Sequence, residues 1–128
     1  MRLLLDTNVL LWWLNDAARI RPEVIAVIAE PENEAFVSAA SAWEIAIKFA
    51  IGKLSVPHPR DWLPQQMAEN RFRPLPIGHD HALAAADLPR LHSDPFDRML
   101  VVQAKLGQLA LVTADQGLAA YGVELLVC

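Results

Sequence analysis

The stretch Leu3-Leu4-Leu5-Asp6-Thr7-Asn8-Val9-Leu10-Leu11-Trp12-Trp13-Leu14 decides the fold. Residues 2–5 read as a short strand buried on both faces, because the leucines run without polar alternation. A carboxylate follows, then an apolar run from Val9 to Leu14 that reads as a helix over residues 8–15. Successive helical residues are about 100° apart, so this run covers the whole helix circumference. One face can pack on a sheet. Trp12 or Trp13 then needs a second cover, either another piece of this chain or a partner protein. Asp6, at the strand-to-helix junction, stands just beyond the carboxyl edge of the strand, where open parallel sheets bind ligands.

The rest of the chain keeps this alternation. Pro22 suits the first turn of a helix ending near residue 30, and residues 35–38 read as a second strand. A helix over 38–51 stops at Gly52, a common residue after a helix C-terminus. Residues 53–60 hold Pro57 and Pro59 and form a loop. A helix over 61–69, a proline-limited strand over 73–77, a helix over 79–87 and a loop over 88–95 follow. The last third gives a helix over 96–106, a strand over 109–113, one or two turns over 115–120 and a strand over 123–127. Strands alternating with helices imply an α/β fold with a central, mostly parallel sheet and right-handed crossovers. With no repeat, low-complexity segment or long linker, residues 1–128 form a single domain on this reading.

Composition narrows the class. Hydrophobic residues make up 54% of the 128, more than a globular domain usually carries, which suits a buried parallel sheet, an interaction surface, or both. Cys128 is the sole cysteine, so no internal disulfide forms and nothing points to an oxidising compartment. Arg2 followed by leucines imitates a secretory leader, but Asp6 and Asn8 interrupt it and no small-residue cleavage site follows. No run is long enough to span a membrane. These features point to a soluble, cytoplasmic protein. The net charge of −4 is unusual for a nucleic-acid binder. An acidic metal centre would itself account for about that much. Arg19 with Arg21, Lys48 with Lys53, Arg71 with Arg73, and Arg98 with Lys105 could still line a groove, or could be scattered solvated charge.

Four acids stand at comparable junctions: Asp6, Glu44, Asp97 and Asp115. Asp6 and Asp115 can each be a plain helix N-cap, and Asn8 can assist Asp6. Glu44 follows Ser41 at capping-box spacing and precedes Lys48 at ion-pair spacing. Yet Ser41, Glu44 and Lys48 also form a narrow polar stripe on an otherwise apolar helix, which suits a site or a cleft. Asp94 before Pro95 has the sequence of an N-cap. Asp97 points with Leu100, Val101 and Ala104 along the core-facing stripe, where a carboxylate is costly unless something positive meets it. Asp97 is therefore the stronger site candidate and Asp94 the auxiliary one. Thr113 could donate to a neighbouring carboxylate or hold a water.

In a parallel sheet the strand ends and helix starts share one edge, so these acids become neighbours. Two carboxylates about 5 Å apart repel by about 3 kcal/mol at an effective dielectric of about 20. Such a group calls for a cation, and hard oxygen donors favour Mg²⁺ or Mn²⁺ over zinc. None of His58, His79, His81 and His92 has metal-ligand spacing to a nearby His or Cys. No glycine-rich phosphate loop or Gly-x-Ser-x-Gly elbow occurs, and the aromatic residues at helical positions read as core.

Leu-Leu-Leu-Asp-Thr-Asn at residues 3–8, Val-Ser-Ala-Ala-Ser-Ala-Trp-Glu-Ile-Ala-Ile-Lys at 37–48, His-Ser-Asp-Pro-Phe-Asp-Arg-Met-Leu at 92–100 and Leu-Val-Thr-Ala-Asp at 111–115 resemble PIN-domain proteins, above all the VapC-type toxins of bacterial toxin–antitoxin pairs. The resemblance covers nearly the whole chain in order. It implies a three-layer α/β/α sandwich and Mg²⁺- or Mn²⁺-dependent endoribonuclease activity. It also implies a homodimer, inhibition by a cognate VapB-type antitoxin, and contact with promoter DNA only through that antitoxin. By position, the acids of the family site fall on Asp6, Glu44, Asp97 and Asp115, with Asp94 an addition.

On this reading Asp6 and Asp97 hold the cation. Glu44 and Asp115 bind it, hold its waters or help accept a proton. Lys48 and Arg98, which flank the acids, are candidate contacts to RNA phosphates. Two other classes compete. A Mg²⁺-binding receiver-like module also gathers acids at a sheet edge, but here one acid, not an adjacent pair, follows the first strand. A pure binding protein would work through the apolar surface around Trp12 and Trp13.

Overall fold

The computed structural model describes residues 1–128. Its elements are β1 (Arg2–Leu5), α1 (Thr7–Asn15), α2 (Pro22–Ala29), β2 (Glu34–Ser38), α3 (Ala39–Ala50), α4 (Pro59–Glu69), β3 (Arg73–Leu75), α5 (His79–Asp87), α6 (Pro95–Gly107), β4 (Ala110–Thr113) and β5 (Leu125–Val127). Short 3₁₀ segments occupy Ala17–Arg19 and Gln116–Tyr121. The sheet runs β3-β2-β1-β4-β5, and every neighbouring pair is parallel. It is thus wholly rather than mostly parallel, because a helical segment carries the chain back between each strand and the next.

The three leucines of β1 are fully buried because the strand lies at the centre of the sheet with helices on both faces. Side chains alternate across a strand. Leu3 and Leu5, with Ala35, Val37, Ala110 and Val112, meet Val9 and Leu10 of α1, Val24 and Ile28 of α2, Ile45 of α3 and Leu63 of α4. Leu4 and Leu111 point the other way, onto Leu100, Val101 and Ala104 of α6 and onto Leu118 and Tyr121. The result is a three-layer α/β/α sandwich. Each fully buried leucine contributes about 2–3 kcal/mol relative to exposure, so β1 anchors both layers.

The cover that α1 needs comes from the same chain. The Arg19 guanidinium carbon lies 4.6 Å from the Trp12 ring centroid. Trp13 packs on Phe72 with centroids 5.8 Å apart and donates its indole N–H to Asn70 Oδ1 at 2.9 Å. The exposed apolar stripe lies instead on α3. Trp43, Ile47 and Ile51 recur at four-residue spacing, opposite the buried Ile45, and Trp43 is 64% exposed. Trp43 is therefore not a core residue, contrary to the reading of the helical aromatics. An apolar groove of about 490 Å³ lies alongside, between α3 and α4, lined by Ala42, Ala46, Leu63, Met67 and Phe72 among others.

Several boundaries shift for local reasons. The third strand ends at Leu75, short of residue 77, and carries Pro74. Proline is tolerated there because β3 is an edge strand with one side unpaired. The last strand begins at Leu125, two residues late, because Gly122 at φ +73° ends the preceding turn and Val123 packs into the core. Gly52 adopts φ +75° just beyond α3, a conformation that glycine takes without strain. No helix is long and apolar enough to cross a membrane.

Candidate metal centre

From β1 the chain winds outward to β2 and β3, then crosses to β4 on the other side of β1. The switch point therefore lies between the carboxyl ends of β1 and β4, where such sheets open a crevice. Asp6 sits in it, 7% exposed. Its Oδ1 accepts the Val9 N–H at 2.9 Å, which caps α1. Its Oδ2 accepts the hydroxyl of Thr113 at the end of β4, across the crevice. Capping and site occupancy are thus compatible, since the cap uses only one carboxylate oxygen. Asn8 offers Asp6 its backbone N–H, while the residue itself is exposed.

Thr113, fully buried, also accepts the backbone N–H of Asp115 at 3.0 Å, so one hydroxyl links Asp6 to the segment that carries Asp115. Asp115 divides its carboxylate in turn. Oδ1 caps the following 3₁₀ segment through the Gly117 N–H at 2.9 Å, and Oδ2 lies 3.2 Å from His92 Nε2.

Asp97 rises from the first turn of α6, with its side chain 27% exposed. Asp94 is the N-cap of that helix, accepting the N–H groups of Phe96 at 2.8 Å and Asp97 at 3.3 Å. Glu44 comes from the middle of α3 and pairs with Lys48 at 2.8 Å. Its helix is capped by Ser38, which accepts the Ala40 N–H at 3.0 Å. Ser41 is therefore no cap, and the capping-box reading of Ser41 and Glu44 is corrected: Ser41 is buried inside α3 and receives the Thr7 hydroxyl at 2.9 Å. That contact ties the start of α1 to α3.

The acids sense one another. Burial, followed by the charges of Asp94 and Asp6, pushes Asp97 up to about 6, with Glu44 adding to the rise and His92 opposing it. Burial also raises Asp6 above the ordinary carboxylate value, and Glu44 adds to it, although bonds from Thr113, Val9 and Asn8 pull the other way. His92, Asp97 and Asp115 each place one ligand-type atom within 4.8 Å of the others. Asp97 and Asp115 thus share one cluster with His92, and Asp6 and Glu44 lie close enough to act on Asp97 through their charges. No lysine or arginine pairs with Asp6, Asp97 or Asp115. Such an uncompensated group of hard oxygen donors fits a divalent cation.

The two basic candidates are placed differently. Lys48 is held by Glu44, with its side chain 42% exposed. Arg98 donates to the carbonyls of Ala85 at 2.9 Å, Leu88 at 3.1 Å, Pro89 at 2.9 Å and His92 at 3.4 Å, and to the Tyr121 hydroxyl at 3.4 Å. Its guanidinium organises the segment between α5 and α6.

Sequence reasoning passed over two residues. His92 has no ligand spacing in the sequence, yet it reaches Asp97 and Asp115 because tertiary structure brings their segments together. Gln103, 1% exposed, accepts the Ser38 hydroxyl and donates to Pro76 O at 3.1 Å. A lone amide on the Leu100–Ala104 core stripe was the available signal for it. Cys128 packs beside the first core cluster, and burial pushes its thiol up to about 11, so it offers no thiolate at neutral pH.

A parallel α/β/α sandwich with carboxylates gathered at the β1/β4 switch point defines a recognisable class. The PIN domain family model matches residues 3–124, and the chain belongs to that family. Among individual relatives, the chain is 40% identical over 60 residues to Ribonuclease VapC16 of Mycobacterium tuberculosis. That match spans 46% of this chain and 43% of the relative, so less than half of either. In structure the chain resembles VapBC2 from Rickettsia felis, solved bound to a promoter DNA fragment (TM-score 0.74, 15% identity, 99% of this chain and 98% of that one). It likewise resembles VapBC-1 from nontypeable Haemophilus influenzae (TM-score 0.72, 16% identity, 99% and 98%). At these identities the likeness is one of fold.

Proposed function

We propose that this protein is a metal-dependent endoribonuclease toxin of the VapC type, acting in the cytoplasm and restrained by a cognate VapB-type antitoxin. The observation that carries the reading is that Asp6, Asp97 and Asp115 lie at the switch point with no lysine or arginine paired to them, while Glu44 acts on Asp6 and Asp97 through its charge and Asp97 is pushed up to about 6. The partial match to a protein named as a ribonuclease supports it, as do the structural likenesses to VapBC complexes.

Asp6 and Asp97 would hold a Mg²⁺ or Mn²⁺ ion, since burial raises both above the ordinary carboxylate value and neither pairs with a lysine or arginine. When bound, the ion supplies charge for the scissile phosphate and an activated water. Thr113 fixes the rotamer of Asp6 by its hydrogen bond. Glu44, with one oxygen engaged by Lys48, can bind through the other or accept a proton, and Asp115, whose oxygens meet the Gly117 N–H and His92, can add a lone pair of Oδ2 or hold a water of the ion. Asp94 stays a helix cap that adds negative charge. Lys48, half-exposed at the rim beside Glu44, remains a candidate phosphate contact. Arg98 is a weaker one, because backbone carbonyls occupy its guanidinium.

Homodimerisation and antitoxin binding belong to the same proposal. Promoter DNA would be reached only through the antitoxin. The exposed Trp43–Ile47–Ile51 stripe and the adjacent α3–α4 groove are the apolar surfaces that support partner binding. Trp12 and Trp13, already covered within the chain, are not.

The test is cleavage of a panel of structured RNAs with Mg²⁺, with Mn²⁺ and with a chelator. Cleavage by the wild-type protein should need the metal, and Asp6→Asn and Asp97→Asn should each lower it by at least about a thousandfold while leaving the circular dichroism spectrum unchanged. Undiminished cleavage by both variants removes the assignment. Metal binding without any RNA cleavage would favour a non-catalytic module.

A further inference from the structure

His92 invites assignment as a metal ligand, because its Nε2 lies 3.2 Å from Asp115 Oδ2 and 3.5 Å from Asp97 Oδ2. The other ring nitrogen argues otherwise. His92 Nδ1 receives the backbone N–H of Asp94 at 3.2 Å. A backbone N–H can only donate, so Nδ1 must present a lone pair and the ring proton sits on Nε2. Histidines that ligate a metal through Nε2 have the opposite arrangement, with Nδ1 as the donor to an acceptor group and a lone pair on Nε2. Nε2–H here faces two carboxylate oxygens and has no lone pair to offer a cation.

The ring is also held from behind. The His92 carbonyl accepts from Arg98, as do those of Ala85, Leu88 and Pro89 on the segment leading to it. Asp94, which supplies the N–H to Nδ1, is fixed as the N-cap of α6, the helix that carries Asp97. One short segment therefore sets both the tautomer and the position of the ring relative to the acids.

We infer that His92 is a positioning residue of the metal centre, whose Nε2–H orients the Asp97 and Asp115 carboxylates from outside the coordination sphere without itself ligating the ion. The inference rests on the reading of the site as a divalent-metal centre. On this account His92 lends a proton donor where two carboxylates from distant parts of the chain would otherwise repel. It leaves Asp97 Oδ1 free while the Gly117 N–H holds Asp115 Oδ1, and it keeps the ligand set all-oxygen, as Mg²⁺ prefers.

The experiment uses the full chain loaded with Mn²⁺ alone, without RNA. Pulsed electron paramagnetic resonance of the wild-type complex should show no directly coordinated nitrogen. His92→Ala should weaken Mn²⁺ binding by calorimetry about ten- to a hundredfold, the usual cost of losing an outer partner. His92→Gln, whose amide reaches about as far as Nε2 and carries a donor, should recover most of that loss. A directly bound nitrogen signal that disappears in His92→Ala makes His92 a ligand and overturns the inference. Equal Mn²⁺ affinity in wild type and His92→Ala overturns it as well, as does a His92→Gln variant no better than His92→Ala. These outcomes leave the metal-centre reading standing. Absence of Mn²⁺ binding by the wild-type protein takes down that reading together with the inference.

Discussion

Asp97 holds a carboxylate where burial and neighbouring negative charge both favour its protonated form, at about 6 against an ordinary 3.8. In the unfolded chain it ionises near the ordinary value, so between those two values the folded state binds more protons. Stability of the metal-free protein then falls as pH rises through this window, and the penalty is full above about 6. With a side chain 27% exposed, screening reduces the effect to about 2 kcal/mol at most. Asp97→Asn should therefore raise the melting temperature of the metal-free protein at pH 7 by several degrees and raise it little at pH 4. Thermal unfolding of both proteins across that range checks this; a variant that gains nothing at pH 7 contradicts the site electrostatics. The same substitution removes a proposed ligand, so stability and metal binding should move in opposite directions. This conflict is expected where acids are gathered for binding rather than for folding.

Element-scale behaviour turns on two polar side chains of α6. Arg98 joins α6 to the carbonyls that end α5 and to the loop bearing His92. Arg98→Gln removes the charge together with the planar fork that reaches several carbonyls. It should destabilise the protein by about 1–3 kcal/mol in urea titration, while the salt dependence of RNA binding stays unchanged. A salt slope reduced by about one phosphate contact, without loss of stability, would restore the role read from its place beside Asp97. Gln103 joins α6 to Ser38, the cap of α3, and to Pro76 beyond β3. Gln103→Leu strands the buried Ser38 hydroxyl and the Pro76 carbonyl and should cost about 2–3 kcal/mol. If the cost is near zero, this network does not hold the sheet edge to the helix that delivers Glu44.

Across the whole molecule, a cation that binds the folded state alone stabilises it by mass action. Mg²⁺ or Mn²⁺ at about a hundred times its dissociation constant should add about 2.7 kcal/mol, read as a rise in melting temperature that Asp6→Asn abolishes. The rise should be larger at pH 7 than at pH 5, because below about 6 the ion competes with the Asp97 proton. A metal-induced shift that is independent of pH and survives in Asp6→Asn would place the ion elsewhere. The fold was largely legible beforehand. An unbroken apolar strand running into an apolar helix, repeated with Pro and Gly punctuation, specifies a parallel α/β order through local burial and backbone chemistry. The positions of Asp6 and Asp115 were legible too, since acids between a strand and the helical segment after it fall on one edge of such a sheet, whereas Glu44 lies in the middle of α3 and Asp97 follows a loop. Covering partners and hydrogen-bond direction were not. Trp12 and Trp13 are covered within the chain, Trp43 faces solvent, Arg98 serves carbonyls and His92 reaches two acids. Sequence by itself determined which segments are strands and helices and where charge would collect, because these follow from periodicity along the chain. Only the tertiary structure decided which side chains meet there and through which atoms, because those contacts join residues far apart in sequence whose spacing carries no signal.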